Sequence, residues 1–160
     1  MIFVTIGTQA PFDRLIKILD EVAPGLNEEI IAQTYHGEYK PQHIKTMDFI
    51  PPNEFNDIFS QARLIVAHAG MGTVISALTL DKPIIIFPRL ASWGEHRNDH
   101  QMATAMRLNE LGYVYAAYDK KQLFDLLKRA DLQPLKHIGE SASRSLIESL
   151  SSYISCNIYV

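Results

Sequence analysis

Short apolar runs alternate with segments of helical period along the whole chain. "MIFVTI" (1–6) reads as a buried strand, and "FDRLIKILDEVA" (12–23) places Phe12, Leu15, Ile16, Leu19 and Val22 on one helical face. "EEIIAQTY" (28–35) and "KTMDFI" (45–50) read as the second and third strands. "PNEFNDIFSQA" (52–62) opens with Pro and Asn, good helix-starting chemistry. Then come the strand "LIVAH" (64–68), the helix "TVISALTL" (73–80), the strand "PIIIF" (83–87), a polar loop from Pro88 to about Arg97 and the helix "DHQMATAMRLNELG" (99–112). "YVYAA" (113–117), a helix near 120–130 and a last segment near 140–154 complete the series.

This alternation predicts an α/β domain built on a doubly wound, mainly parallel sheet. Its strands read as continuous apolar runs because helices cover both faces. Ligands in such sheets bind beyond the carboxyl ends of the strands. Three loops fall there: "GTQAP" (7–11), "HAGMGT" (68–73) and "PRLASWGEHRNDHQ" (88–101). Their glycine and polar content exceeds what sheet–helix packing requires.

At 160 residues the chain suits one domain, without repeats or low-complexity segments. A net charge of −3 gives no electrostatic reason to expect nucleic acid. The single cysteine, Cys156, excludes an internal disulfide and fits a reducing compartment. Met1 leads straight into "IFVTIG" with no basic segment, so no secretory signal is expected. The longest uncharged run, between Arg63 and Asp81, holds His68, Gly70 and Gly72 and is too short for a comfortable membrane span.

A Gly-rich turn that opens a helix offers unpaired N–H groups and the positive end of a helix dipole, which suits a phosphate or diphosphate. Gly70 and Gly72 would let the main chain come close, His68 would reach the same group, and Thr73 would cap the helix or donate to a phosphate oxygen. The bland alternative is a tight turn with Thr73 as N-cap. A dinucleotide site is disfavoured: Ile75 stands where a third glycine would fall, and no acid ends the strand before Pro88 and Arg89. No Gly-Lys-Ser/Thr occurs, which excludes a P-loop. "HRNDH" (96–100) spaces two histidines four apart, but Arg97 replaces the glutamate of the metalloprotease form and no third ligand offers itself. No metal is expected; the bland alternative is a solvated helix start capped by Asn98 or Asp99, which suits His96 better than the whole cluster, because the cluster sits on the ligand edge.

Taken together, "HAGMGT", "ALTLDKPIIIFPR" and "GEHRNDHQMATA", with the opening "MIFVTIGTQ", resemble the C-terminal, donor-binding half of GT-B glycosyltransferases of family 28. The resemblance covers about residues 1–118. It is greatest to the split-subunit type, represented by the catalytic subunit of the dolichol-linked GlcNAc transferase and by bacterial exopolysaccharide glycosyltransferase subunits of the PssE type. It implies a single Rossmann-like domain over 1–160, one half of a GT-B fold, with 140–160 as a C-terminal helix and tail.

The resemblance further implies a UDP-sugar donor and no other cofactor. Gly7, Thr8, His68, Gly70, Met71, Gly72 and Thr73 would surround the diphosphate. Phe49, Ile50 and Ser76 would form the uridine site; many relatives carry a ribose-gripping Glu where Ser76 stands, and the exopolysaccharide type is often small there. Glu95, Arg97, Asn98, Asp99, His100 and Gln101 would meet the sugar. Arg89 or Arg97 would offset charge on the leaving diphosphate or pair with a uronate carboxylate.

A GT-B enzyme needs two halves, and the resemblance supplies one. It therefore implies a heterodimer with a membrane-anchored, acceptor-binding subunit that carries the general base, although His100 and Asp99 are candidates on this chain. The implied reaction is inverting transfer of a hexose or hexuronic acid to a polyprenyl-diphosphate-linked saccharide, in exopolysaccharide or capsule biosynthesis. The implied location is the cytoplasmic face of the membrane, reached through the partner. The alternatives are a non-catalytic UDP-sugar-binding accessory or regulatory module and, less favoured, a stand-alone homodimer. In the last segment, Leu146, Ile147, Leu150, Tyr153 and Ile154 recur at helical spacing, for packing on this domain's sheet or for crossing to the partner with the tail "CNIYV".

Overall fold

A computed structural model describes residues 1–139 and 143–157 of the chain. Six strands, β1 (Ile2–Thr5), β2 (Ile30–Gln33), β3 (Lys45–Met47), β4 (Leu64–Ala67), β5 (Ile84–Ile86) and β6 (Tyr115–Ala116), form one sheet in the order β3-β2-β1-β4-β5-β6. Every pairing is parallel; Val4 of β1, for instance, lies between Ala32 of β2 and Val66 of β4. The helices are α1 (Asp13–Val22), α2 (Pro52–Gln61), α3 (Met71–Thr79), α4 (His100–Glu110), α5 (Lys120–Leu127) and α6 (Arg144–Asn157).

Alternation along the strands splits the core in two. Ile2, Val4 and Val66 face Leu15 and Leu19 of α1 and Leu123 of α5. Phe3, Ile65 and Ile86 face Phe59 of α2, Ala77 of α3 and Ala105 of α4. Both faces are thus covered, which is why these strands carry no polar alternation. The chain winds outward from β1 toward β3 and then from β4 toward β6, so the direction reverses between β1 and β4. The crevice at that reversal is where such sheets bind ligands.

Some boundaries differ from the sequence pattern. β2 stops at Gln33, because Tyr35 and His36 take left-handed conformations with φ of 38° and 56°. β3 stops at Met47. The irregular stretch between them is tied to α1: Asp13 accepts from the Glu38 and Tyr39 amides, and Asp20 from the Gln42 and His43 amides and the Tyr39 hydroxyl. Burial alone would raise the Asp20 pKa, but these donors outweigh it and hold the carboxyl below its usual range.

The third helix begins at Met71, two residues before the expected Thr73, with Gly70 in the N-cap position. In α6, Leu146, Ile147 and Leu150 are each about half exposed, so these three do not seat on the sheet. The side chains of Tyr153 and Ile154, and residues 158–160 of the expected tail, lie outside the described residues. No helix among the described residues is long and apolar enough to cross a membrane.

Candidate functional site

The loops after β1 and β4 flank the reversal point, and their packing explains two of the glycines. His68 follows β4 directly, and its imidazole lies between Gly7 and Gly70. A Cβ at Gly70 would come within 2.2 Å of His68 Nε2, and one at Gly7 within 3.0 Å of His68 Cε1. Gly7 also has φ of +76°, which a side chain resists. The Gly70 amide donates to the His68 carbonyl at 2.8 Å, which turns the chain into α3. Gly72 differs: a Cβ there would meet nothing within 4 Å.

The imidazole is neutral. Burial first, and the nearby Arg89 charge second, lower the His68 pKa from 6.5 to about 4. Its Nδ1 is buried with no hydrogen-bond partner. Such a ring donates a single N–H and adds no charge.

Helix α3 has no side-chain cap. Its first amide bond runs from Val74 to the Gly70 carbonyl at 3.3 Å. Helix geometry therefore leaves the Met71, Gly72 and Thr73 amides without intrahelical acceptors. Thr73 sits inside the first turn and is not the N-cap.

These elements border two adjoining clefts. One, of about 460 Å³, is lined by Gly7–Ala10, His68–Thr73, Arg89, Glu95, His96, His100, Gln101 and Thr104. The other, of about 430 Å³, is lined by Thr5, Gln33, Phe49, Ile50, Pro52, Phe55, Asn56 and Ser76. Gly7, Thr8, Gly72 and Thr73 belong to both, so a strip of small residues and helix amides runs along the junction.

The two residues of opposite charge on this cleft wall, Arg89 and Glu95, are bonded within the protein. Arg89, only 3% exposed, donates to the carbonyls of Pro11 at 2.6 Å, Ala10 at 2.8 Å and Ile6 at 3.1 Å. It also stacks 4.5 Å from the Phe12 ring. Its guanidinium pins the first loop and is not the free diphosphate ligand that the sequence suggests. Glu95 pairs with Arg14 through both oxygens, at 2.6 and 2.8 Å, and accepts from the Leu90 amide at 2.9 Å. It borders the cleft, as expected, and its carboxylate also anchors the 88–97 loop.

Arg97, Asn98 and Asp99 are exposed and do not line the cleft. Of this stretch, Glu95 and His96 in the loop and His100 and Gln101 at the start of α4 border the cleft. Asp99 accepts from the Ala91 amide at 2.8 Å, so it stands apart as a base candidate as well. The Asn98 side chain sits 2.5 Å from His100 Nδ1 and accepts from the His100 amide at 3.4 Å. The His96 and His100 rings meet edge to face at 4.5 Å. Gln101 is buried, and its Oε1 accepts from the Arg89 amide at 3.1 Å. No group of three metal-ligating side chains occurs among the described residues.

Several lining residues escaped the sequence pattern. Thr104 lies one turn beyond His100 on α4. Gln33 ends β2, at the same carboxyl edge as the Gly-rich loops, and that position was the signal available. Phe55 and Asn56 project from α2 without any motif to mark them.

Residues 1–154 match the model of the glycosyltransferase family 28 C-terminal domain. The chain belongs to that family. Over 127 residues it is 26% identical to the UDP-N-acetylglucosamine transferase subunit ALG13 of Mus musculus, a match covering 71% of this chain and 10% of that protein. Matches to the curated relatives span between 10% and 57% of their length. Among solved structures, the NMR solution structure of ALG13 superposes with a TM-score of 0.58 at 20% identity, covering 93% of both chains. MurG of Acinetobacter baumannii superposes with a TM-score of 0.63 at 18% identity, covering 95% of this chain and 49% of that one. Family 28 membership and these neighbours place the fold as one Rossmann-like half of the GT-B architecture.

Proposed function

We propose that this chain is the donor-binding subunit of a two-component inverting glycosyltransferase using a UDP-sugar. The observation that carries the reading is the junction of the two clefts. There the unpaired amides of Met71, Gly72 and Thr73 converge with the neutral His68 beside Gly7 and Thr8. The diphosphate lies on this strip, the uridine in the cleft of Phe49, Ile50 and Ser76, and the sugar in the cleft of His96, His100 and Gln101.

Departure of the diphosphate builds negative charge, which preorganised amides and a helix N-terminus stabilise without a metal. His68 contributes a donor that does not change charge above about pH 5, since its pKa is near 4. The general base belongs to a partner. The one carboxylate on the cleft wall, Glu95, is bound to Arg14, and His100 is the remaining candidate on this chain.

The partner is a membrane-anchored subunit holding a polyprenyl-diphosphate-linked saccharide, and it recruits this chain to the cytoplasmic face of the membrane. The relatives' designation as transferase subunits supports the division of labour, and their UDP-N-acetylglucosamine donor supports the UDP-sugar class. Small Ser76 supports the exopolysaccharide or capsule branch, and a hexose or hexuronate is the proposed donor sugar. Residues 1–160 act as one domain, with the exposed Leu146, Ile147 and Leu150 of α6 available to the partner.

A thermal-shift panel of UDP-glucose, UDP-galactose, UDP-glucuronate and UDP-N-acetylglucosamine tests the reading. A ligand at 100 times its Kd stabilises by about 2.7 kcal/mol, or about 5–10 °C for a domain of this size. Indifference to UDP and to all four sugars overturns it. Transfer to a lipid-linked acceptor is expected only on co-expression with the partner.

A further inference from the structure

We propose that the nucleoside cleft recognises its ligand without charge and is therefore nearly blind to the ribose 2′-hydroxyl. This rests on the donor-binding reading above. Among the described residues no charged side chain lines this cleft; its polar groups are the hydroxyls of Thr5, Thr8, Thr73 and Ser76 and the amides of Gln33 and Asn56.

On the donor-binding reading the ribose enters this cleft from the Gly72–Thr73 strip, and Ser76 lines the cleft one helical turn farther along α3. The Ser76 hydroxyl donates to the Gly72 carbonyl at 3.0 Å. Its oxygen therefore offers lone pairs alone, and one neutral hydrogen bond is the most that the 2′-hydroxyl gains there. Gln33, 3% exposed, accepts from the Thr5 hydroxyl at 3.5 Å, which leaves its NH₂ end as a further uncharged donor. The charged side chains of the site, Arg89 and Glu95, belong to the other cleft and are satisfied within the protein.

Loss of one neutral hydrogen bond changes affinity about two- to tenfold. A carboxylate gripping both ribose hydroxyls forms charge-assisted bonds about twice as strong, and would discriminate about ten- to a hundredfold. The chain accordingly accepts nucleoside diphosphates of the 2′-deoxy series.

Isothermal titration of the chain with UDP and with 2′-deoxy-UDP reads this as a ratio of dissociation constants. The ratio is expected to stay under about tenfold. In the exposed-site variant Ser76→Glu it is expected to rise to about ten- to a hundredfold. Using the ratio cancels any general repulsion between the new carboxylate and the diphosphate. A wild-type ratio of tenfold or more, or a Ser76→Glu ratio equal to wild type, overturns the inference while leaving the donor site intact. Failure of both nucleotides to bind removes the donor-binding reading and this inference with it.

Discussion

Two glycines separated by one residue should behave oppositely when each is changed to alanine. In Gly70→Ala the new methyl would stand 2.2 Å from His68 Nε2 and 2.7 Å from Cε1. Ordinary contact begins near 3.4 Å, so the ring must move by more than an ångström. A Cβ at Gly7 would likewise come within 3.0 Å of Cε1, so both glycines leave room for the same ring. Overpacking of this kind destabilises by about 1–3 kcal/mol, which lowers Tm by about 3–10 °C in a domain of this length. In Gly72→Ala the methyl touches no protein atom. Alanine in place of glycine within a helix is worth up to about 1 kcal/mol, so Tm should hold or rise slightly. The same methyl stands on the strip shared by both clefts, and UDP affinity should fall about tenfold or more.

Thermal or urea unfolding of the ligand-free proteins, paired with UDP titration, separates the two outcomes. The decisive control is the cycle with His68→Ala. If the clash is with the imidazole, removing the ring relieves the Gly70→Ala penalty, with a coupling of at least about 1 kcal/mol. A Gly70→Ala protein that melts like wild type, or a cycle without coupling, would refute the packing account of this turn.

Arg89→Met should destabilise by about 3 kcal/mol or more, because it strips the donors from three carbonyls of the first loop, and Arg89→Lys should recover little, since one ammonium cannot span all three; urea midpoints test both. The His68 pKa is lowered on folding from 6.5 to about 4, so the unfolded chain binds more protons in that window. The contribution of a neutral His68 is complete above about pH 6.5 and is lost as pH falls toward 4, by about 3 kcal/mol in all. The stability gap between wild type and His68→Gln should therefore shrink by that amount between pH 7 and pH 4 in denaturant titrations, and a constant gap would show that the ring is not buried neutral.

The sheet was legible because its rules are local. Parallel strands covered on both faces read as apolar runs, and "IFV", "LIVA" and "PIIIF" do. The carboxyl-edge rule then located the three loops before any contact was known. Boundaries slipped where backbone conformation decided them. Tyr35 and His36 end β2 in left-handed conformations that neither residue type announces. Gly70 caps α3 through its backbone alone, which drew Met71 and Gly72 into a helix that seemed to open at Thr73. The roles of Gly70 and Gly72 could not be told apart either, because what distinguishes them is contact with His68.

The charged residues were the hardest to place, for a physical reason. Arg89, Glu95, Arg97 and Asp99 crowd one loop, and a crowd of charges at a ligand edge invites assignment to the ligand. A charge sunk into the protein must be compensated, however, and the compensation comes from partners distant in sequence. Pro11, Ala10 and Ile6 satisfy Arg89, and Arg14 satisfies Glu95, across separations of 78 to 83 residues. The clefts are left with amides, hydroxyls and imidazoles, so under the donor-binding proposal attraction for a diphosphate would rest on the α3 terminus and on the field of an arginine bonded elsewhere. That field already acts at the site: Arg89 is the second cause, after burial, of the low His68 pKa. One arginine thus shapes the first loop through its hydrogen bonds and adds, through its charge, to the burial that keeps the imidazole neutral. Arg89→Lys therefore separates these roles, preserving the charge while losing the three-carbonyl clamp.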